Sequence, residues 1–213
     1  MLSVLLGLGV WQLDRLTGKR ALLAAIDRAE ASPPIPLPTA AAPFTKVKVE
    51  GRLRHTLSAW YGAEVRMTPT GAKMGAALIV PLERAEGPPI LINRGWVPLE
   101  ATQAIAQPQG LVTIEGFVRP PMTPGPFSAP DDPARRLFYT LDPQAIGAAL
   151  GLPHVAPFVI VALGPPPAEL FPAPARRLPR PENDHLAYAI TWFSLAFVLG
   201  VIFFLYARKM PAS

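Results

Sequence analysis

The sequence predicts two transmembrane α-helices flanking an extracytoplasmic α+β domain of mainly antiparallel β structure, built as a sheet or a partial barrel. Three observations carry this. A charge-free apolar run closes the chain, a shorter apolar run opens it, and all but one of the 28 prolines lie between Pro33 and Pro181. Of 213 residues, 50% are hydrophobic and 16% charged, where an average domain carries about 25% charged residues. The predicted boundaries are 1–32 for a first, truncated membrane segment with a helical extension and 33–164 for the β domain. A Pro-rich linker at 165–182, a C-terminal membrane helix at 183–207 and a cytoplasmic tail at 208–213 follow.

From Met1 to Leu13 the chain is apolar apart from Ser3 and Gln12, and Asp14 and Arg15 end the run. A spanning helix needs about 20 apolar residues, so this stretch is too short by itself. A signal peptide and the back half of a first membrane helix both stay open, although there is neither a basic leader nor a small-residue cleavage site. The helical pattern continues through Leu16, Leu23 and Ile26 and stops before Pro33 and Pro34, as one long helix leaving a bilayer would.

Proline at the density seen from Pro33 to Pro181 forbids long helices and breaks up continuous sheet, but it suits short strands joined by stiff loops. From Phe44 to Leu53, Val47 and Val49 alternate with Lys46, Lys48 and Glu50, the period of a strand with one buried face. Further strands are predicted at Ala59–Arg66, Ala76–Leu82, Ile90–Trp96, Leu111–Val118, Leu137–Leu141 and Phe158–Leu163. One short helix is predicted from Pro143 to Leu150, with Asp142 as its N-cap, Pro143 in the first helical position and Gly151 past its end. The stretches Pro120–Pro133 and Pro165–Pro181 read as a long loop and an extended linker.

Leu186 to Tyr206 holds no charge, no proline and one glycine. As a helix this run is roughly 31 Å long, the thickness of a hydrocarbon core. Tyr188 and Trp192 lie near one end and Tyr206 at the other, as an aromatic belt would place them. Arg208 and Lys209 follow and favour a cytoplasmic C-terminus, whereas Arg15, Lys19 and Arg20 and later Arg176, Arg177 and Arg180 flank the opposite side. Long loops translocate largely regardless of charge, so both termini inside with the central domain outside is the arrangement adopted.

With no Cys, the chain has no disulfide framework, Cys-ligated zinc, iron–sulfur cluster or thiol nucleophile. The net charge of +5 is spread over single and paired basic residues, without the aromatic or finger motifs of nucleic-acid binders, so nucleic acid is not an expected partner. His55, His154 and His185 are far apart, and no metalloprotease, triad, phosphate-loop or dinucleotide motif occurs, which leaves an enzyme without support. Met67, Met74 and Met122 form no copper-donating cluster.

His185 differs from the other two histidines. On a helix it shares one face with Tyr188, Ala189 and Trp192, at offsets of three, four and seven. An imidazole at the membrane surface, aromatic rings below it and a small residue between them would suit a flat apolar macrocycle carrying iron. The same residues would equally make an ordinary interfacial belt. His55 and His154 read as surface residues, either of which is available as a second axial ligand.

At this point the residues resemble a known family. NDHLAYAITWF at Asn183–Phe193 is similar to the closing signature of the Surfeit-locus cytochrome oxidase assembly factors, called Shy in yeast. LGVWQLDRLTGK at Leu8–Lys19 resembles the exit from that family's first span, ILINRGWVP at Ile90–Pro98 its central signature, and VTIEGFVRPP at Val112–Pro121 the strand that follows. The resemblance covers nearly the whole chain in the family's order, with Asp184 standing where many relatives have Asn. It implies two membrane helices in the inner membrane around a periplasmic domain, and a role in delivering or inserting haem a into the catalytic subunit of cytochrome c oxidase. The implied partners are that subunit, haem a synthase and membrane lipid, and the implied haem iron ligand is His185, with Tyr188, Ala189 and Trp192 beside the cofactor. Arg94, Gly95 and Trp96 are the family's other marked positions, with a structural or unsettled role. A scaffold that stabilises an oxidase intermediate without holding haem is the alternative, and an envelope accessory protein with a β domain is a third.

Overall fold

The computed structural model describes residues 1–68, 71–100, 104–165 and 171–209. In chain order the elements are helix α1 (Leu2–Ala31), strands β1 (Ile35–Pro36), β2 (Lys46–Leu53), β3 (Ala59–Thr68), β4 (Gly71–Glu83), β5 (Ile90–Pro98), β6 (Val112–Arg119) and β7 (Leu137–Phe138), helix α2 (Pro143–Ala149), strand β8 (Val159–Ala162) and helix α3 (His185–Lys209). They fall into two compact units: Ala29–Leu178, which is β-rich, and Met1–Arg28 with Pro179–Ser213, which is helical.

In the β unit the strands pair in the order β1-β2-β6-β8-β5-β4-β3-β7, and β2 also pairs with β4. That extra pairing, Arg52 with Glu83 and Leu53 with Leu82, closes β2, β6, β8, β5 and β4 into a five-stranded barrel. The sheet is therefore closed rather than partial. It is also mixed: β1–β2, β3–β7 and β5–β8 are parallel and the other five pairings antiparallel. Parallel neighbours need a crossover connection. Between β5 and β8 the chain supplies one, containing β6 and α2.

Strand β5 is the axis of this unit. Its first residues alternate between two cores, which is why Ile90, Leu91 and Ile92 are consecutive apolar residues. Ile90 and Ile92 join Val47, Val49, Leu82, Val118 and Ile160 in one cluster. Leu91 joins Ile79, Val159, Phe138, Leu141 and Ile146 in the other, which α2 covers. Helix α2 starts as its sequence predicts: the Asp142 carboxylate accepts hydrogen bonds from the backbone N–H groups of Gln144 and Ala145, Pro143 follows the cap, and Gly151 past the end has φ +75°.

The predicted strands correspond to β2 through β8, with β4 longer than expected and β7 reduced to two residues. Strand β1 was not foreseen. Two residues among prolines carry no alternation to read, yet Ile35 and Pro36 pair with Val47 and Lys48.

Part of the Pro-rich return stretch is joined to the barrel. Phe171, Ala173 and Ala175 alternate with Pro172 and Pro174, so every backbone N–H the segment retains lies on one side. Those three N–H groups donate to the carbonyls of Ala104, Trp96 and Ala162, and their own carbonyls accept from Ala106, Trp96 and Gly164. The segment is a strap in which Pro172 and Pro174, which lack an N–H, fall between the hydrogen-bonded positions. At the boundary of the unit, Leu178 N–H donates to the Glu30 carboxylate at 2.8 Å.

In the helical unit, α1 runs unbroken to Ala31 and ends ahead of Pro33 and Pro34, as expected. Among the described residues, one helix is long and apolar enough to cross a membrane, His185–Lys209. Only 11% of its apolar window is buried, unlike a soluble core helix. The apolar part of α1 ends at Leu13, so α1 does not meet that standard. The exposed large apolar side chains of α1 nevertheless lie in that same first stretch, at Leu2, Val4, Leu6, Val10, Trp11 and Leu13.

Barrel closure depends on a glycine. A Cβ on Gly51 would overlap the Glu83 carbonyl oxygen and lie 2.8 Å from Leu82 Cγ, where β2 meets β4. Gly51→Ala is expected to cost about 1–3 kcal/mol of overpacking, read as a lowered denaturant midpoint of the β unit; an unchanged midpoint would mean that this closure is not tight.

Candidate functional site

Helix α3 begins at His185, and its first turn is closed by Tyr188 N–H donating to the Asp184 carbonyl at 3.1 Å. The His185 imidazole is half-buried and its Nδ1 lies 2.7 Å from Oε1 of Gln12 on α1. An amide oxygen can only accept, so in the neutral tautomer that satisfies this contact Nδ1–H donates to Oε1 and Nε2 is the acceptor nitrogen. That is the arrangement found in ligating histidines, whose second nitrogen is fixed by an outer partner.

Two antiparallel helices make this contact. Gly9 of α1 faces the Phe193 ring so closely that a Cβ there would stand 2.7 Å from Cε1 and Cζ. Gly9, Gln12 and Leu16, spaced three and four apart, are buried on α1, and Ala189 and Ala196, one heptad apart, are the buried positions of α3. The space over Gly9 is filled by the Phe193 ring, for which the missing side chain makes room. Arg180 and Asp27 form an ion pair between the two segments of the unit.

Of the four residues expected on one face, His185 and Ala189 turn inward, Trp192 is half-buried and Tyr188 is 56% exposed. They form a gradient from buried to exposed, not a single wall. Beside His185 is a polar cavity of about 390 Å³, also lined by Arg15, Lys19, Asp14 and Thr17. Arg15 additionally lies 5.9 Å from the centroid of the Trp11 ring. Further along the same pair is an apolar groove of about 470 Å³ lined by Leu2, Leu6, Phe193, Phe197 and Phe204. Asn183 Oδ1, two residues before His185, is buried without a partner.

The other histidines lie on the β unit. His55 is half-buried, its Nε2 2.9 Å from the Pro108 carbonyl, and His154 is exposed in its loop. Among the described residues no three His, Asp or Glu side chains gather as a metal cage.

Arg94, Gly95 and Trp96 occupy a bulge in β5. Asn93 pairs with Ile79 and Trp96 with Ala77, so Arg94 and Gly95 together oppose Leu78. Gly95 has φ +121° and its N–H donates to Asn93 Oδ1 at 3.0 Å. A Cβ on it would overlap the Ala173 carbonyl, so glycine admits the strap. The buried Trp96 exchanges both backbone hydrogen bonds with Ala173, donates from Nε1 to the Glu64 carbonyl at 3.1 Å and meets Phe171 edge-on at 6.0 Å. These two residues hold the return strap.

Gln12 and Gly9 were not singled out as site residues from the sequence. The signal for Gln12 was present: it is one of two polar side chains in the opening apolar run, and a polar group among apolar neighbours requires a partner. Gly9 gave no distinguishing signal beside Gly7, which has nothing within 4 Å of its would-be Cβ.

The sequence profile of the SURF1 family matches residues 1–197. The SURF1-like protein of Rickettsia felis is 32% identical, the alignment covering 98% of this chain and 94% of that protein. The SURF1-like protein of Rickettsia conorii is 31% identical over 99% of this chain and 89% of its own. Surfeit locus protein 1 of Rattus norvegicus is 27% identical over 96% and 73%.

The pairing geometry separates two glycines. Gly9→Leu is expected to unpair the helices, seen as loss of a cooperative melt in detergent, whereas Gly7→Leu leaves the melt unchanged. Equal behaviour of the two variants would contradict the Gly9–Phe193 contact.

Proposed function

This chain belongs to the SURF1 family, and on that footing we propose that it is a non-enzymatic assembly factor for haem–copper cytochrome c oxidase that binds haem a and assists its delivery to the catalytic subunit. The observation that carries the proposal is the His185–Gln12 pair. In the neutral tautomer that satisfies this contact, Nε2 is the nitrogen left for iron, at the membrane-proximal start of an apolar helix.

The surroundings of that pair fit this cargo. Haem a has two propionates, a flat ring and a long isoprenoid tail. Arg15 and Lys19 line the His185 cavity and offer two cations to the propionates. Half-buried Trp192 and buried Ala189 supply an aromatic and a small residue for the ring. The apolar groove begins at Phe193, roughly 12 Å along the helix from His185, and suits the tail. In this reading both helices sit in the inner membrane, the β domain is periplasmic and both termini are cytoplasmic. The partners are the oxidase catalytic subunit, haem a synthase and lipid.

The exposure of Tyr188 favours a second reading, in which the aromatic residues are a membrane belt and the protein is a scaffold holding an oxidase intermediate without haem. Purification from cells that make haem a, followed by a pyridine haemochrome spectrum, separates the two. The carrier reading expects haem a with the wild type and less than about a tenth of it with His185→Ala. Gln12→Leu is expected to weaken haem binding about 10–100-fold, the usual effect of losing an outer partner of a ligating histidine. Haem-free wild-type protein that still copurifies with oxidase subunits would establish the scaffold, and full haem retention by His185→Ala would remove His185 as the ligand.

A further inference from the structure

The β unit contains a cavity that the haem reading does not use. It measures about 750 Å³ and is walled by Leu53, Val112, Ile114 and Ala162 with Pro172 and Pro174 of the strap, and Arg94 lines it. Small-molecule pockets fall at roughly 300–1,000 Å³ and are mostly apolar with a few placed polar groups. The bulge in β5 is the reason Arg94 takes part, because two residues opposing one re-aims a side chain that a regular strand would direct elsewhere.

The Arg94 guanidinium is half-buried, and burial holds its pKa below the ordinary arginine value. Its Nη1 donates to the Ala106 carbonyl at 2.8 Å, and among the described residues that neutral group is its one polar partner. A guanidinium carries five donors in a planar fork. One carbonyl leaves most of these donors, and the charge, without a protein partner among the described residues. Desolvated charges are normally paired, since an uncompensated one is costly. A tie to a backbone carbonyl could be made by a neutral side chain, so a cation here implies an anion. Among the described residues lining the cavity, Glu115 is the carboxylate, and it is 3.9 Å from Lys48.

We propose that this cavity binds a small monocarboxylate with an apolar body, the carboxylate paired in bidentate fashion with the Arg94 guanidinium and the body lying along the valine, isoleucine and proline wall. A single cation matches a single negative charge. A phosphate dianion would find one cation and the Glu115 carboxylate, a poorer balance.

The test uses the full chain in lipid nanodiscs, with empty nanodiscs as the blank. Calorimetric titration compares 4-phenylbutanoate with its neutral isostere 4-phenylbutanamide. The wild type is expected to bind the acid about tenfold or more tightly than the amide, because a charge-assisted bidentate pair is lost with the amide. Arg94→Gln is expected to abolish that preference while melting at the wild-type temperature or above it, since the amide retains a donor for Ala106 and removes an uncompensated charge. Equal affinity of acid and amide for the wild type overturns the proposal, as does a preference that survives Arg94→Gln. Should that variant not fold, Val112→Trp, at a half-exposed wall position, fills the cavity. Loss of acid binding then supports the site, and unchanged binding overturns it.

Discussion

Much of the β unit follows from the burial of β5 on both faces. A strand with one wet face can shift register by exchanging polar and apolar sides, but a strand sandwiched between two cores has no polar side to expose. Ile90 and Ile92 commit it to the barrel interior and Leu91 to the layer under α2. Its neighbours then have to match: β4 runs antiparallel on one flank and β8 parallel on the other. The bulge at Arg94 and Gly95 interrupts this regularity where the strap crosses. There the strand exchanges strict pairing for room, a guanidinium turned to the cavity and a place to dock Ala173.

The parts of this architecture that were legible in the sequence are those governed by local chemistry. Val47 and Val49 alternate with charged residues because one face of β2 is dry. The Asp142–Pro143 cap and Gly151 bound a helix whose ends are satisfied locally. Pro33 and Pro34 terminate α1 because neither can continue it. What was not legible rests on contacts between distant segments. Nothing near Arg52 announces that it will pair with Glu83 and close the sheet into a barrel. The strap was readable as extended but not as paired, although proline at every second position from Phe171 to Ala175 is a pattern with one hydrogen-bonding side.

The same division holds for the candidate site. His185 stood out because, at the start of a long apolar helix, it shares the angular sector of Tyr188, Ala189 and Trp192. Its partner did not, because Gln12 lies 173 positions away and the geometry joining them is set by two small-residue faces and one aromatic ring. The helical wheel also grouped Tyr188 with His185, whereas the fold exposes the tyrosine and buries Ala189. A wheel gives angular neighbours; which of them are covered depends on the facing helix, and on α3 the covered positions are Ala189 and Ala196.

Glu30 lies at the start of the β unit and Leu178 at its end, and the hydrogen bond between them closes the unit on itself. In topological terms the β unit is an insertion whose two ends meet. Such an insert can be lengthened, exchanged or excised across a short joint while the host segments keep their register. The small-residue faces of Gly9, Ala189 and Ala196 owe nothing to what is carried between them. The requirement on any replacement for residues 29–178 would be geometric: its ends must lie close enough for one side chain to bridge them.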